Sequence, residues 1–110
     1  MTLLPSLKQK KRYVVFGIIS EASFSWPEVQ EAIEHSLAKF LGDLGMAKAS
    51  PLLIKEKWNE KKQHFVIKVN HTYVDELKTA LILNKKIKNT PVIIKSITVS
   101  GTLKKAGSYL

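Results

Sequence analysis

The sequence predicts an α+β sandwich of the ferredoxin-like type, with elements in the order β-α-β-β-α-β. Three observations predict it. Two stretches with apolar residues at helical spacing alternate with stretches of strand pattern, and two of the strand stretches adjoin as a hairpin. The first strand, Arg12–Ser20, is apolar on both faces, as befits the centre of a sheet. At 110 residues the chain has room for one domain and one core, with roughly 65% of its extended surface buried on folding. In this topology the antiparallel sheet has the order 4-1-3-2, with strands one and three central. Both helices lie on one face and the other face is open.

Taken in order, residues 1–11 show no period and are expected to form a basic arm, with Pro5 stopping any early helix. The core spans 12–100 and the tail 101–110. In strand one, Val14, Phe16 and Ile18 lie on one face, and Tyr13, Val15 and Ile19 on the other. Gly17 leaves space for close approach. Helix one begins at Ser25, whose spacing to Glu28 fits a capping box, and Pro27 is tolerated in its first turn. Trp26, Val29, Ile33, Leu37, Phe40 and Leu44 make one apolar stripe. Gly42 costs the last turn about 1 kcal/mol against alanine, and Gly45 is the expected C-cap. Met46–Pro51 is then a connector.

Strand two is expected over Leu52–Trp58 and strand three over His64–Asn70, joined by the polar turn Asn59–Gln63. Helix two starts near His71 or Thr72, with Thr72 and Asp75 spaced as a variant capping box. The basic connector Asn84–Asn89 ends it. Pro91 opens strand four, which runs from Val92 to about Ser100, an allowed place for proline in a sheet. The doubly apolar first strand then needs a cover on its open side: the tail, a partner protein or RNA.

Charge is segregated as well as large. The net charge of +9 divides into +4 over residues 1–20, −4 over 21–45 and +9 over 46–110. Such a field suits a polyanion, although Lys-rich composition also serves solubility. Lysine clusters stand at Lys8–Arg12, Lys61–Lys62, Lys85–Lys88 and Lys104–Lys105. The arm and the tail flank the same edge of the expected sheet, so Lys8, Lys10, Lys11, Arg12, Lys104 and Lys105 are candidate RNA contacts, with Lys61 and Lys62 beside them.

The remaining chemistry is mostly exclusion. The chain has no cysteine, which removes disulfides, thiolate zinc sites and thiol catalysis, and agrees with a reducing, cytoplasmic setting. No apolar run reaches the ~20 residues that span a bilayer, so no membrane role is expected. His35, His64 and His71 lack the spacing of a metal site. The carboxylates neighbour one another only along helices, and neither a nucleophile elbow nor a glycine-rich phosphate loop is present. The fold is also RRM-like, but strand three reads HFVIKV and lacks the stacking aromatics of a sequence-reading RNA module. Any RNA contact is expected at phosphates.

Four pieces carry a resemblance across nearly the whole chain: LLPSLKQKKRYVVFGIIS, FLGDLGMAKAS, VNHTYVDELKTAL and VSGTLKKA. With them the chain resembles archaeal ribonuclease P protein component 2, the counterpart of a small eukaryotic subunit shared by ribonucleases P and MRP. Met46 and Leu103 are small departures. The resemblance implies a subunit of the enzyme that removes the 5′ leader from precursor tRNA. Catalysis would lie in the RNA subunit and its Mg²⁺, with no cofactor bound by this chain. It implies pairing with the barrel-shaped protein component 3, other protein subunits in the same particle, and a possible dimer of such heterodimers. Lys8, Lys10, Lys11, Arg12, Tyr13, Asn70, His71, Ser100, Thr102 and Lys104 match its motifs. His71 joins the RNA candidates. Tyr13, Val15, Ile19, Asn70, Ser100 and Thr102 are the candidates for protein contact. The alternatives are a small-molecule regulatory or protein-interaction domain on the same fold, and a stand-alone nuclease.

Overall fold

The computed structural model describes residues 10–110; Lys8 and the rest of the expected arm before Lys10 lie outside the described residues. Among the described residues six strands form where four were expected. β1 (Lys11–Ile19), β2 (Leu52–Leu53), β3 (His64–Asn70) and β6 (Ile93–Ser100) make an antiparallel sheet in the order β2-β3-β1-β6. β4 (Lys86–Ile87) and β5 (Thr90–Pro91) make a separate two-stranded ribbon. β1 is central: Lys11 pairs with Asn70 on one side and Tyr13 with Ser100 on the other, with a register shift between Val15 and Phe16.

Alternation along the strands sends side chains to two different covers. Val14, Phe16, Ile18, Phe65, Ile67, Val69 and Ile94 meet both long helices in the main core, where Phe16 and Phe65 stack at 5.4 Å. Val15 and Val66 point the other way and are buried under Ala106.

α1 (Trp26–Ala49) starts as its sequence predicts. The Glu28 carboxylate accepts the Ser25 backbone N–H at 3.0 Å and the Ser25 hydroxyl at 2.9 Å. Its first half is held to the sheet by Trp26, Val29, Ile33 and Leu37. The expected stripe does not continue: Phe40 is 44% and Leu44 68% exposed. Gly42 sits at φ 69°, ψ 177°, a conformation open to glycine alone, and the helix kinks there. The chain then resumes as helix through the expected connector to Ala49. Gly45 is therefore not the cap. Ser50 is, in the left-handed conformation, with its N–H on the Met46 carbonyl.

Strand two is shorter than expected. β2 pairs for two residues, and Lys55–Lys57 turn as a 3-10 helix that brings Trp58 to 5.7 Å from Trp26. Gln63, at φ 56°, closes the turn into β3 and is buried. Its side chain donates to the carbonyls of Phe24 (3.1 Å) and Glu60 (2.7 Å) and accepts the Phe24 N–H (2.8 Å).

His71–Tyr73 form a 3-10 turn before α2 (Val74–Ile82), so the Thr72 cap does not form. Asp75 and Glu76 still occupy the first turn, where the helix dipole favours them. The basic connector folds as the β4-β5 ribbon, because Lys88 and Asn89 both take positive φ, the geometry of a tight two-residue hairpin. The tail forms a third helix, α3 (Leu103–Gly107), capped by the Thr102 hydroxyl, which accepts the Lys105 N–H.

Candidate nucleic-acid interface

One end of the sheet gathers the residues that the sequence singles out. Lys11 pairs with Asn70, and Lys10 precedes β1 with its carbonyl accepting the His71 backbone N–H at 2.9 Å. The His71 ring Nδ1 lies 3.1 Å from the same carbonyl, which can only accept, so that nitrogen carries the proton. On the other side of β1, Tyr13 pairs with Ser100. The chain turns at Ser100–Thr102, where the Ser100 hydroxyl donates to the Thr102 carbonyl at 2.9 Å and accepts the Thr102 N–H at 3.2 Å. That turn launches α3 with Lys104 and Lys105 in its first turn, both exposed. A Cβ on Gly101 would stand 4.0 Å from an Arg12 guanidinium nitrogen, so Arg12 lies against the start of the tail.

The start of β1 and the tail therefore share this end of the sheet, with Lys10 and Lys11 beside His71 on one side and Arg12, Lys104 and Lys105 at the turn into α3 on the other. The sequence missed Lys68. It pairs with Tyr13 across the sheet and holds its ammonium 6.0 Å from the Tyr13 ring centroid, adding a cation to the same face. Its alternation with Val66 on β3 was the available signal. Lys61 and Lys62 stand apart. They lie in the turn before His64, and His64 pairs with Gly17 near the opposite end of β1. Lys88 is drawn off by an exposed ion pair with Glu31 at 3.3 Å.

The residues expected to meet protein partners divide by exposure. Ile19 is 55% exposed and Thr102 is exposed, while Tyr13 is half-buried. Val15, Asn70 and Ser100 are buried, with contacts inside the chain. Val15 is sealed beneath α3, Ser100 shapes the turn into it, and Asn70 is buried, donating its amide to the Lys48 carbonyl at 3.2 Å. The Asn70 side-chain carbonyl has no partner among the described residues.

Among the described residues, no three His, Asp or Glu side chains converge as metal ligands, and no helix is long and apolar enough to cross a membrane. The Glu28 carboxyl is held below the usual carboxylate range, first by the Ser25 backbone N–H and then by the Ser25 hydroxyl, and this is a helix cap, not a catalytic pair. The arrangement is suited to holding anions on a fixed surface.

Known proteins share both sequence and shape with this chain. Ribonuclease P protein component 2 of Pyrococcus furiosus is 41% identical over 94% of the chain and 85% of its own length. The protein of that name from Thermococcus kodakarensis is 37% identical over 94% and 84%, and that from Methanocaldococcus jannaschii is 33% identical over 96% and 75%. A chain in the cryo-EM structure of yeast ribonuclease MRP superposes with a TM-score of 0.67 at 13% identity, covering 87% of this chain and 77% of that one; it shows the shared fold. The model of the Rpp14/Pop5 family matches residues 12–110, everything from Arg12 to the end of the covering helix and beyond, and the chain belongs to that family.

Proposed function

We propose that this chain is a protein subunit of ribonuclease P, the RNA-based endoribonuclease that removes the 5′ leader from precursor tRNA. The relatives that bear this name support the reading. The observation that carries its mechanism is that Lys10, Lys11 and Arg12 at the start of β1 share one end of the sheet with the turn at Ser100–Thr102 that leads to Lys104 and Lys105. Phosphates of the catalytic RNA seat there. Their neutralisation lowers the Mg²⁺ that the RNA needs in order to fold, and Mg²⁺ enters the particle through the RNA and not through this chain. Catalysis belongs to the RNA.

Protein component 3 and the other protein subunits are the inferred partners, in the cytoplasm. Exposed apolar side chains at Ile19 and Ile93, and at Phe40 and Leu44 beside the kink, offer them surface, including that for a dimer of heterodimers. Leaving the β4-β5 ribbon aside, we read the sheet order β2-β3-β1-β6 as the ferredoxin-like 4-1-3-2 arrangement seen from its other edge.

Reconstitution tests the reading. Precursor-tRNA cleavage is measured with the RNA subunit and component 3, with and without this chain, across a Mg²⁺ series. Addition is expected to shift activity to lower Mg²⁺. An unchanged Mg²⁺ profile would count against the proposal.

A further inference from the structure

The opposite end of the sheet's open face carries a pocket that has no part in the phosphate surface. α3 covers this face around Val15 and Val66. Beyond that cover, strand register sets His64, Gly17 and Lys95 side by side on three neighbouring strands. A cavity of about 390 Å³ opens there, with Gly17, Ile19, Lys62, His64, Lys95 and Ile97 among its walls. That volume falls at the small end of the range for small-molecule sites.

Each wall has a distinct chemistry. Gly17 makes room: a Cβ there would stand 3.1 Å from both His64 Cδ2 and Ile97 Cδ1, so a larger residue would push the imidazole or the isoleucine back by a few tenths of an ångström. The ring is oriented by its neighbour. His64 Nδ1 lies 3.2 Å from the Tyr109 carbonyl, which can only accept, so Nδ1 is the donor and Nε2 of the neutral ring is left to accept. Ile19 and Ile97 supply apolar walls, and Lys62 and Lys95 supply charge. The pocket lining contains no carboxylate.

A free phosphate would use the lysines and leave the ring and the isoleucines idle. A nucleotide uses all of them: a flat base against imidazole and aliphatic walls, with its phosphate at the lysines. Unpaired nucleotides are the ones whose bases can turn into such a site. From Lys11 to Gly17 the strand spans roughly 20 Å. Two anchors that far apart fit one large folded RNA.

We propose that this pocket seats a single unpaired nucleotide of the RNA subunit, with its base against His64 and Ile97 and its phosphate between Lys62 and Lys95. The inference rests on the ribonuclease P reading and adds a base contact to a surface otherwise limited to phosphates.

The test compares His64→Ala, His64→Phe and the Lys62→Ala/Lys95→Ala pair with the wild-type chain in the assembled complex. It uses nucleotide-resolution footprinting and RNA affinity over a salt series. The lysine pair sits on an exposed turn and an edge strand, so folding should survive its removal. Lys62→Ala/Lys95→Ala is expected to flatten the log–log salt slope by about 0.7 for each single-strand phosphate no longer neutralised. His64→Ala is expected to weaken binding about tenfold, with His64→Phe retaining most of it. Both His64→Ala and the lysine pair should expose the same unpaired nucleotide. Unchanged footprints and affinity in all three variants, alongside weakened binding on replacement of Lys10, Lys11 and Arg12, would overturn the pocket and leave the subunit role standing. Altered protection on precursor tRNA instead, or release of a protein subunit, would overturn the occupant. Failure of the wild-type chain to bind RNA would overturn both.

Discussion

Gln63 ties three parts of the chain together with one amide. It bonds Phe24 twice and Glu60 once, while its own backbone carbonyl accepts the Ile18 N–H at 2.9 Å. Gln63→Ala strands the buried Phe24 N–H and carbonyl, and should destabilise the fold by about 3 kcal/mol in urea unfolding, at unchanged m-value. The sequence shows only a polar residue in a polar turn, because its burial depends on a segment far away in the chain. Glu28 is the opposite case: its bond is local, and Ser25-x-x-Glu28 announces it. Its folded pKa is lowered by Ser25, so its contribution is complete above the ordinary carboxylate value and is lost as pH falls through the lowered one. In an NMR titration the Ser25 amide should follow that transition, with a midpoint below the usual carboxylate range. A Glu28→Gln chain with the wild-type pH dependence would disprove the assignment.

At the scale of elements, periodicity located β1, β3, β6 and the first half of α1, since each keeps its regular backbone along its whole apolar pattern. It failed where backbone conformation overrides pattern. Gly42 takes a positive φ and turns α1 aside, so Phe40 and Leu44 keep the helical spacing and lose the burial. Lys88 and Asn89 take positive φ without a glycine to advertise it. α3 was missed because it is short, yet Thr102 and Ala106 carry its signals: a cap and a small apolar residue one turn on. This helix supplies the cover that the doubly apolar first strand needs, since Ala106 seals Val15 and Val66. Ala106→Glu should lift it, because a carboxylate cannot enter that contact unpaired. The expected result is increased binding of a hydrophobic dye and a destabilisation of about 2 kcal/mol. Ala106→Ser should show little of either.

Across the whole molecule, charge was the most legible property. The sequence placed cations in the arm and the tail, and the sheet carries both to one end. Replacing Lys10, Lys11 and Arg12 together with alanine should reduce the log–log salt slope of RNA binding by about 0.7 to 0.9 for each phosphate that these cations neutralise. Equal slopes in variant and wild type would remove this surface from the interface. The second anchoring point, around Gly17 and His64, was not legible. Its residues are commonplace singly, and only the register of β1 with β3 and β6 puts them in one row.

That central place of β1 also fixes an order of events during synthesis. β1 is made before its partners in β6 and α3: Tyr13 cannot complete its pairing until Ser100 has been made, and Val15 has no cover until Ala106 follows. The Val14, Phe16 and Ile18 face of β1 can pack on α1 and β3 as these follow, but its Val15 face stays bare until α3 is made, so the chain must close by long-range contacts, the slow kind. Chaperone demand and sensitivity to elongation rate should therefore track the interval between β1 and β6.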